Sequence, residues 1–161
     1  MLFRSDISGF NDRPADMKLD AAENIIVCGR TNNGNDDDLL VLKVDPNGSP
    51  LWLNAYVGAA AGNDRASALV VDASGDIYIS GKTDSDPSTT VTNYDFCTVK
   101  FNSAGVQQWV QTFNGTGNLT DEANAICLNN AGSVIVTGRS DGTVNPLISD
   151  YGIKKIGRAH V

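Results

Sequence analysis

Aspartates recur at matched positions along the chain and are the residues best suited to chemistry. They form two series, Asp12, Asp64 and Asp121, and Asp38, Asp95 and Asp150. Carboxylate oxygens are the ligands that Ca²⁺ takes in proteins, and the loop over 36–38 carries three of them in a row. A carboxylate that returns once per repeat more often accepts hydrogen bonds from nearby backbone N–H groups than serves one active site. We therefore expect structural aspartates and a solvated acidic loop, and assign no metal ligand.

Cysteine is the next candidate for metal or redox chemistry, and its pattern argues against both. Cys28, Cys97 and Cys127 fall at different points of the repeat described below, and no CxxC pair occurs. Three cysteines cannot all pair within one chain. We expect three small buried side chains rather than a disulfide framework.

The single histidine, His160, lies in the C-terminal tail 156–161. The codons ATC GGA AGA GCA CAC GTC encode this tail and resemble a common sequencing adapter, so we predict that the tail is foreign to the natural protein. Without His160 the segment has no Ser-His-Asp triad, no Cys-His pair and no histidine-ligated metal. We assign no catalytic residue, no cofactor-binding residue and no cofactor.

The composition indicates a packed, acidic, strand-rich domain. An apolar share of 41% is ample for a core, and 16 glycines among short apolar runs favour strands joined by turns. A net charge of −7 with scattered Lys and Arg argues against nucleic acid as a partner. No apolar run approaches the roughly eighteen residues that cross a bilayer, so we predict no membrane span.

Two phrases repeat along the chain and must be positioned by repeated elements. The copies of the first are 12–31, 64–83 and 121–140, and those of the second are 38–52, 95–109 and, incompletely, 150–155. Each first phrase predicts two strands around an Asp- or Gly-containing turn, and each second phrase predicts two more. The strands predicted in the two complete copies are Met17–Asp20, Ile25–Arg30, Leu39–Val44 and one carrying Trp52 and Tyr56, then Ala68–Asp72, Ile77–Lys82, Phe96–Phe101 and one carrying Trp109 and Phe113.

Four sequential antiparallel strands cannot bury both faces alone, whereas stacking on neighbouring copies buries them, and a unit near fifty residues matches a propeller blade. We predict an all-β fold, a β-propeller fragment of four-stranded antiparallel blades. A sandwich without repeats and a parallel β-helix explain the repeat less well. The predicted units are the end of a preceding blade at 1–11, blades at 12–63 and 64–120, a partial blade at 121–155 and the tail at 156–161.

Trp52 and Trp109 follow glycine turns, as a tryptophan also does in the docked blades of quinone-dependent dehydrogenases. Because both units carry one, we expect packing between blades instead of a cofactor site. The lysine series, Lys43, Lys100 and Lys155, is expected at the blade margin with packed stems.

The segments VVDASGDIYISGKT (70–83) and YDFCTVKFNSAGVQQW (94–109) resemble the bacterial β-propeller repeat family called SBBP. The resemblance implies a large exported or surface-attached bacterial protein, often with adhesion-type domains, and no shared catalytic residues. The first copy departs from the pattern with Pro14, with Lys18 and with Glu23 in place of a glycine, so we expect a less regular first turn there.

The leading hypothesis for function is a non-catalytic scaffold that offers loop surfaces to a protein or glycan partner outside the cell or at its surface. The alternative is the framework of a propeller enzyme, either a glycoside hydrolase or a quinone-dependent dehydrogenase, with its active site elsewhere. Propellers close with about four to eight blades. Open blade faces are therefore expected in this segment, together with self-association or aggregation.

Overall fold

The computed structural model describes residues 11–58, 62–85, 93–141 and 149–158. Across these ranges the chain forms eleven strands and no helix, and all paired strands are antiparallel, so the all-β prediction is confirmed. None of these ranges contains a helix with the length and apolarity of a membrane span. The predicted end of a preceding blade falls almost entirely on residues 1–10, outside the described residues.

The strands form three sheets, each a meander in which neighbours in sequence are neighbours in space. Sheet A contains β1 (Arg13–Leu19), β2 (Ile25–Asn32), β3 (Asp37–Val44) and β4 (Pro50–Tyr56). Sheet B contains β5 (Arg65–Val71), β6 (Ile77–Asp84), β7 (Tyr94–Phe101) and β8 (Gln107–Phe113). Sheet C contains β9 (Asp121–Leu128), β10 (Ser133–Asp141) and β11 (Ser149–Arg158).

The predicted second and third strands of sheets A and B lie inside the observed ones. The predicted first strands run one residue too far, to Asp20 and Asp72, and begin too late, because β1 and β5 start at Arg13 and Arg65. β1 and β5 continue towards the N-terminus past a one-residue bulge, at Ala15 and Ser67, which breaks the hydrophobic alternation that the prediction used. β11 extends into the C-terminal tail, and Ile156 pairs with Val134. The adapter origin of that tail stays a prediction.

The tight turns between strands share one geometry. In five of them the side-chain oxygen of the first residue accepts two hydrogen bonds from backbone N–H groups two and four residues later; these residues are Asp20, Asp45, Asp72, Asn102 and Asn129. Glu23 takes the positive φ, 62°, that glycines take in the other turns, and its N–H still donates to the Asp20 carbonyl at 3.0 Å. The expectation of a less regular first turn is therefore wrong.

The sheets pack on one another through their broad faces. β5 contacts β1, β2 and β3, and β9 contacts β5, β6 and β7. Between sheets A and B the core includes Ile26, Val41 and Ile79, while Tyr78 and Val136 belong to the core between sheets B and C. Because Tyr78 and Ile79 are adjacent in β6, sheet B buries both of its faces.

A glycine at the same place in each sheet lets the second strand approach the bulge of the first. A Cβ on Gly81 would lie 1.9 Å from the carbonyl oxygen of Arg65, and equivalent contacts surround Gly29 and Gly138. Since a backbone oxygen cannot rotate away as a side chain can, these positions exclude every residue except glycine.

We expect Gly81→Ala to destabilise the fold by about 3 kcal/mol, because the new methyl group overlaps a fixed carbonyl oxygen. Gly48→Ala is the matched control: its Cβ would meet nothing within 4 Å, so it bears only the cost of its φ of 87°, about 1 kcal/mol. Urea unfolding of the two variants measures the difference. Equal midpoints would contradict the bulge contact.

Candidate functional site

The two ends of the stacked sheets differ in chemistry. One end holds the five capped tight turns and is named the turn end. The other, named the loop end, holds the connections between second and third strands and between one sheet and the next, including 33–36, 57–64 and 114–120. Most of the aspartates of the sequence series lie at the loop end.

Asp64 and Asp121 are fully buried. They lie where the chain passes from the last strand of one sheet to the first strand of the next. Asp64 accepts hydrogen bonds from the N–H of Gly58 and from the Thr83 hydroxyl, both at 2.5 Å. Asp121 accepts the N–H of Gly115 at 2.5 Å. The local structural role expected of this series is therefore confirmed for both residues, and burial together with the nearby Asp38 raises the pKa of Asp64.

Asp37 connects sheets A and B and was not singled out by the repeat. Its carboxylate accepts hydrogen bonds from Asn32 and from the guanidinium groups of Arg30 and Arg65, the last through Nε at 2.9 Å and a second nitrogen at 2.8 Å. Burial opposes its ionisation, but the Asn32 amide and the two arginines outweigh it, and the pKa of Asp37 is lowered. An ionised Asp37 thus joins β2, β3 and β5.

Asp38 and Asp95 occupy the same place in sheets A and B. Their pKa values are raised, whereas that of Asp37 is lowered. Burial, followed by the neighbouring carboxylates Asp36 and Asp37, raises the pKa of Asp38; burial, followed by Asp121 and Asp84, raises that of Asp95. The side chain of Asp150, the third member of this series, lies outside the described part.

The described ranges contain no group of three or more His, Cys, Asp and Glu side chains placed to hold a metal ion. In the acidic loop, Asp37 is occupied by arginines and Asp38 accepts the Asn33 amide at 3.0 Å. The expectation of a solvated acidic loop is wrong for Asp37 and Asp38, which are each 6% exposed, because this segment forms a junction between sheets A and B.

The exposed part of the loop end is rich in amides held in fixed positions. In sheet A the N–H of Gly34 donates to the side-chain oxygen of Asn32, and that of Asn35 donates to Asn33, each at 2.9 Å. In sheet B the amides of Asn93 and Asn114 donate to Asn118, at 3.2 and 2.6 Å. These hydrogen bonds order two polar loops. None of them uses the side chain of Asn35 or the hydroxyl of Thr116, and both residues are exposed.

At the turn end, Trp52 packs on sheet B as predicted. Its indole N–H donates to the Ser103 carbonyl at 3.2 Å, and a Cβ on Gly105 would lie 2.7 Å from its ring. Lys43 reaches the same carbonyl at 3.4 Å and forms an ion pair with Asp20 at 2.9 Å. Trp52 therefore makes the contact between sheets that was expected of it.

Trp109, the equivalent residue of sheet B, lines a groove of about 490 Å³ between β8 and β11. Its ring lies 6.1 Å from that of Tyr78, and Lys154 lies 4.7 Å from the ring of Phe113 on the same groove. Lys100 also forms an ion pair with an aspartate of its first turn, but with Asp76 at 2.8 Å, which stands at the place of Asn24 and not at that of Asp20.

The three cysteines are free, but only two are buried. Burial raises the pKa of Cys28 and of Cys97 to about 12, which makes both poor nucleophiles. The expectation of a third buried cysteine is wrong, because Cys127 is exposed on β9.

No family model matches the sequence, and a search of curated proteins finds no match. The assignment of function therefore depends on the geometry of the chain itself.

The Lys43–Asp20 ion pair is expected to contribute to the free energy of unfolding. We expect Lys43→Met to cost about 3 kcal/mol, because it removes the partner of a carboxylate whose side chain is 7% exposed. Lys18→Met is the control: Lys18 pairs with Asp16 but is 47% exposed, so a loss below about 1 kcal/mol is expected. Urea unfolding at neutral pH compares the two.

The acid dependence of stability should change as well. Burial opposes ionisation of Asp20, but hydrogen bonds from Asn24 and Lys43 lower its pKa from 3.8 to about 2. A lowered folded-state pKa contributes stability that is present above pH 3.8 and is lost as the pH falls towards 2. Asp20→Asn should therefore unfold with a shallower pH dependence in that window than the natural chain, and an unchanged slope would contradict the ion pair.

Proposed function

We propose that this chain is a non-catalytic β-propeller repeat module whose loop end offers a polar surface to a protein or glycan partner. The observation that carries the proposal is the pair of ordered, amide-rich loops at 33–36 and 114–118, exposed above sheets that are themselves buried against each other. Fixed loops bind with a smaller loss of conformational entropy than mobile ones.

The propeller arrangement is supported by how the sheets use their faces. In sheets A and B the same broad face, which carries Val41 in one and Thr98 in the other, covers the first strand of the next sheet. Repetition of one contact along the chain is what radial stacking of blades requires.

A location outside the cell or at the surface of a bacterium is supported by the resemblance to SBBP repeats. An amide surface suits either partner, a glycan or a protein, since Asn side chains offer both a donor and an acceptor to hydroxyl groups and to peptide backbones.

Arrays of glycans and peptides probed with the fluorescently labelled chain test the loop end. For a ligand found there, we expect Asn35→Ala combined with Thr116→Ala to weaken binding about tenfold, equivalent to about 1.4 kcal/mol. Asn47→Ala is the matched control, because Asn47 is an exposed asparagine at the turn end. Calorimetric titration gives the dissociation constants.

Two results would contradict this proposal: no ligand on either array, or binding that Asn47→Ala weakens as much as the loop-end variant does. Cleavage of a bound glycan during incubation, detected by chromatography, would instead favour the hydrolase alternative.

A further inference from the structure

The outer side of β1 exposes apolar side chains at places that are buried in the other sheets. Met17 is 66% exposed and Leu19 is 60% exposed. Leu69, which occupies the place of Met17 in sheet B, is 1% exposed. The equivalence follows from strand pairing, since Met17 lies opposite Val27 and Leu69 lies opposite Ile79. β1 therefore has a face that its repeat equivalent buries.

The structure shows what buries this face in the other copies. The strand equivalent to β1 is β5 in sheet B and β9 in sheet C. β5 is contacted by the first three strands of sheet A, and β9 by the first three strands of sheet B. The covering element is thus the opposite broad face of a three-stranded unit of the same repeat.

No strand among the described residues covers the equivalent face of sheet C. Ile153 lies opposite Thr137 in the same register that places Val41 opposite Cys28 in sheet A. Ile153 is 75% exposed, whereas Val41 is fully buried. Lys155 is exposed, whereas Lys43, at the same place, is 6% exposed. Sheet C also has the three strands, β9 to β11, that covering requires.

We propose that sheet C of one copy docks on β1 of a second copy, head to tail, in the way that sheet A docks on sheet B. Ile153 then covers Met17 and Leu19, above a groove of about 670 Å³ that Val27 and Leu42 also line. Removal of these side chains from water drives the association. Because the patch on one copy differs from the patch on the other, the contact is heterologous.

Where each copy contributes the three described sheets, two such contacts close a ring of six. Six sheets fall within the range of about four to eight blades in which propellers close. Closure of the ring rests on the radial arrangement in the proposed function, whereas the contact itself rests only on the equivalence of the faces.

Sedimentation velocity of the full chain at micromolar concentrations tests the contact. We expect a dimer for the natural chain and for Val106→Glu, a control in which an exposed valine of sheet B is changed away from both faces. Met17→Glu with Leu19→Glu should be monomeric, and so should Ile153→Glu. All of these side chains are exposed, so circular dichroism and melting should stay close to those of the natural chain.

Mixing the two monomeric variants gives the decisive result. One keeps an intact sheet C face and the other an intact β1 face, so the mixture should form a dimer that neither variant forms alone. A monomeric natural chain, a dimer that survives either change, or a mixture that stays monomeric would overturn the proposal. Open-ended oligomers abolished by the same changes would keep the contact but overturn the ring, and with it the radial arrangement.

The reactivity of Cys127 tests the docking contact without measuring the size of the assembly. It lies opposite Ile135 on β9, on the outward side of sheet C. Its reaction with a thiol reagent should be several-fold slower in the natural chain, at concentrations that form the dimer, than in Ile153→Glu. Equal rates would contradict burial of this face.

Discussion

The whole structure depends on one constraint: a four-stranded meander has two broad faces, and both must leave water. Sheet B meets it by sending alternate side chains of β6 in opposite directions, Ile79 to sheet A and Tyr78 to sheet C. The third strands β3 and β7 are buried at almost every position, β7 between two sheets and β3 although no described sheet covers the outer face of sheet A. Their buried segments, LLVL in β3 and FCTV in β7, do not alternate between apolar and polar residues as a half-exposed strand would. Strand alternation alone would misplace them, whereas the repeat places them correctly.

The same constraint decides what the recurring polar residues do. A carboxylate or ammonium group drawn between two sheets must find a partner there. Lys43 and Lys100 each find an aspartate, and Asp64 finds a hydroxyl and a backbone N–H group. Such pairs add little net stability relative to apolar packing, but a single register satisfies them. These recurring groups are therefore occupied by the fold, whereas within the described ranges buried carboxylate oxygens of Asp12, Asp38, Asp95 and Asp121 accept no hydrogen bond.

How far the sequence predicts this structure follows from what repeats. The turns, the strand positions and the contact of Trp52 with the next sheet were accessible, because each appears more than once and each has a local cause. The Asp37–Arg65 pair was not accessible, because Asp37 has no counterpart: Tyr94 and Ser149 stand at its place in sheets B and C. Arginine does recur at the place of Arg65, as Arg13, but Glu122 takes that place in sheet C. The exposure of Cys127 was missed because burial depends on whether a neighbouring sheet covers that face, which composition does not reveal.

The charges at the place of Arg65 in each sheet together affect the order of the sheets. Arg65 of sheet B meets Asp37 of sheet A, and Glu122 of sheet C meets Lys82 of sheet B at 3.0 Å. If sheets B and C exchanged places, Glu122 would meet Asp37, a like charge, beside Arg30. Arg65 would meet Arg139, which stands at the place of Lys82, beside Asp141. Charge at one position of the first strand therefore favours the observed order, because each exchanged contact would add a like charge beside the opposite one.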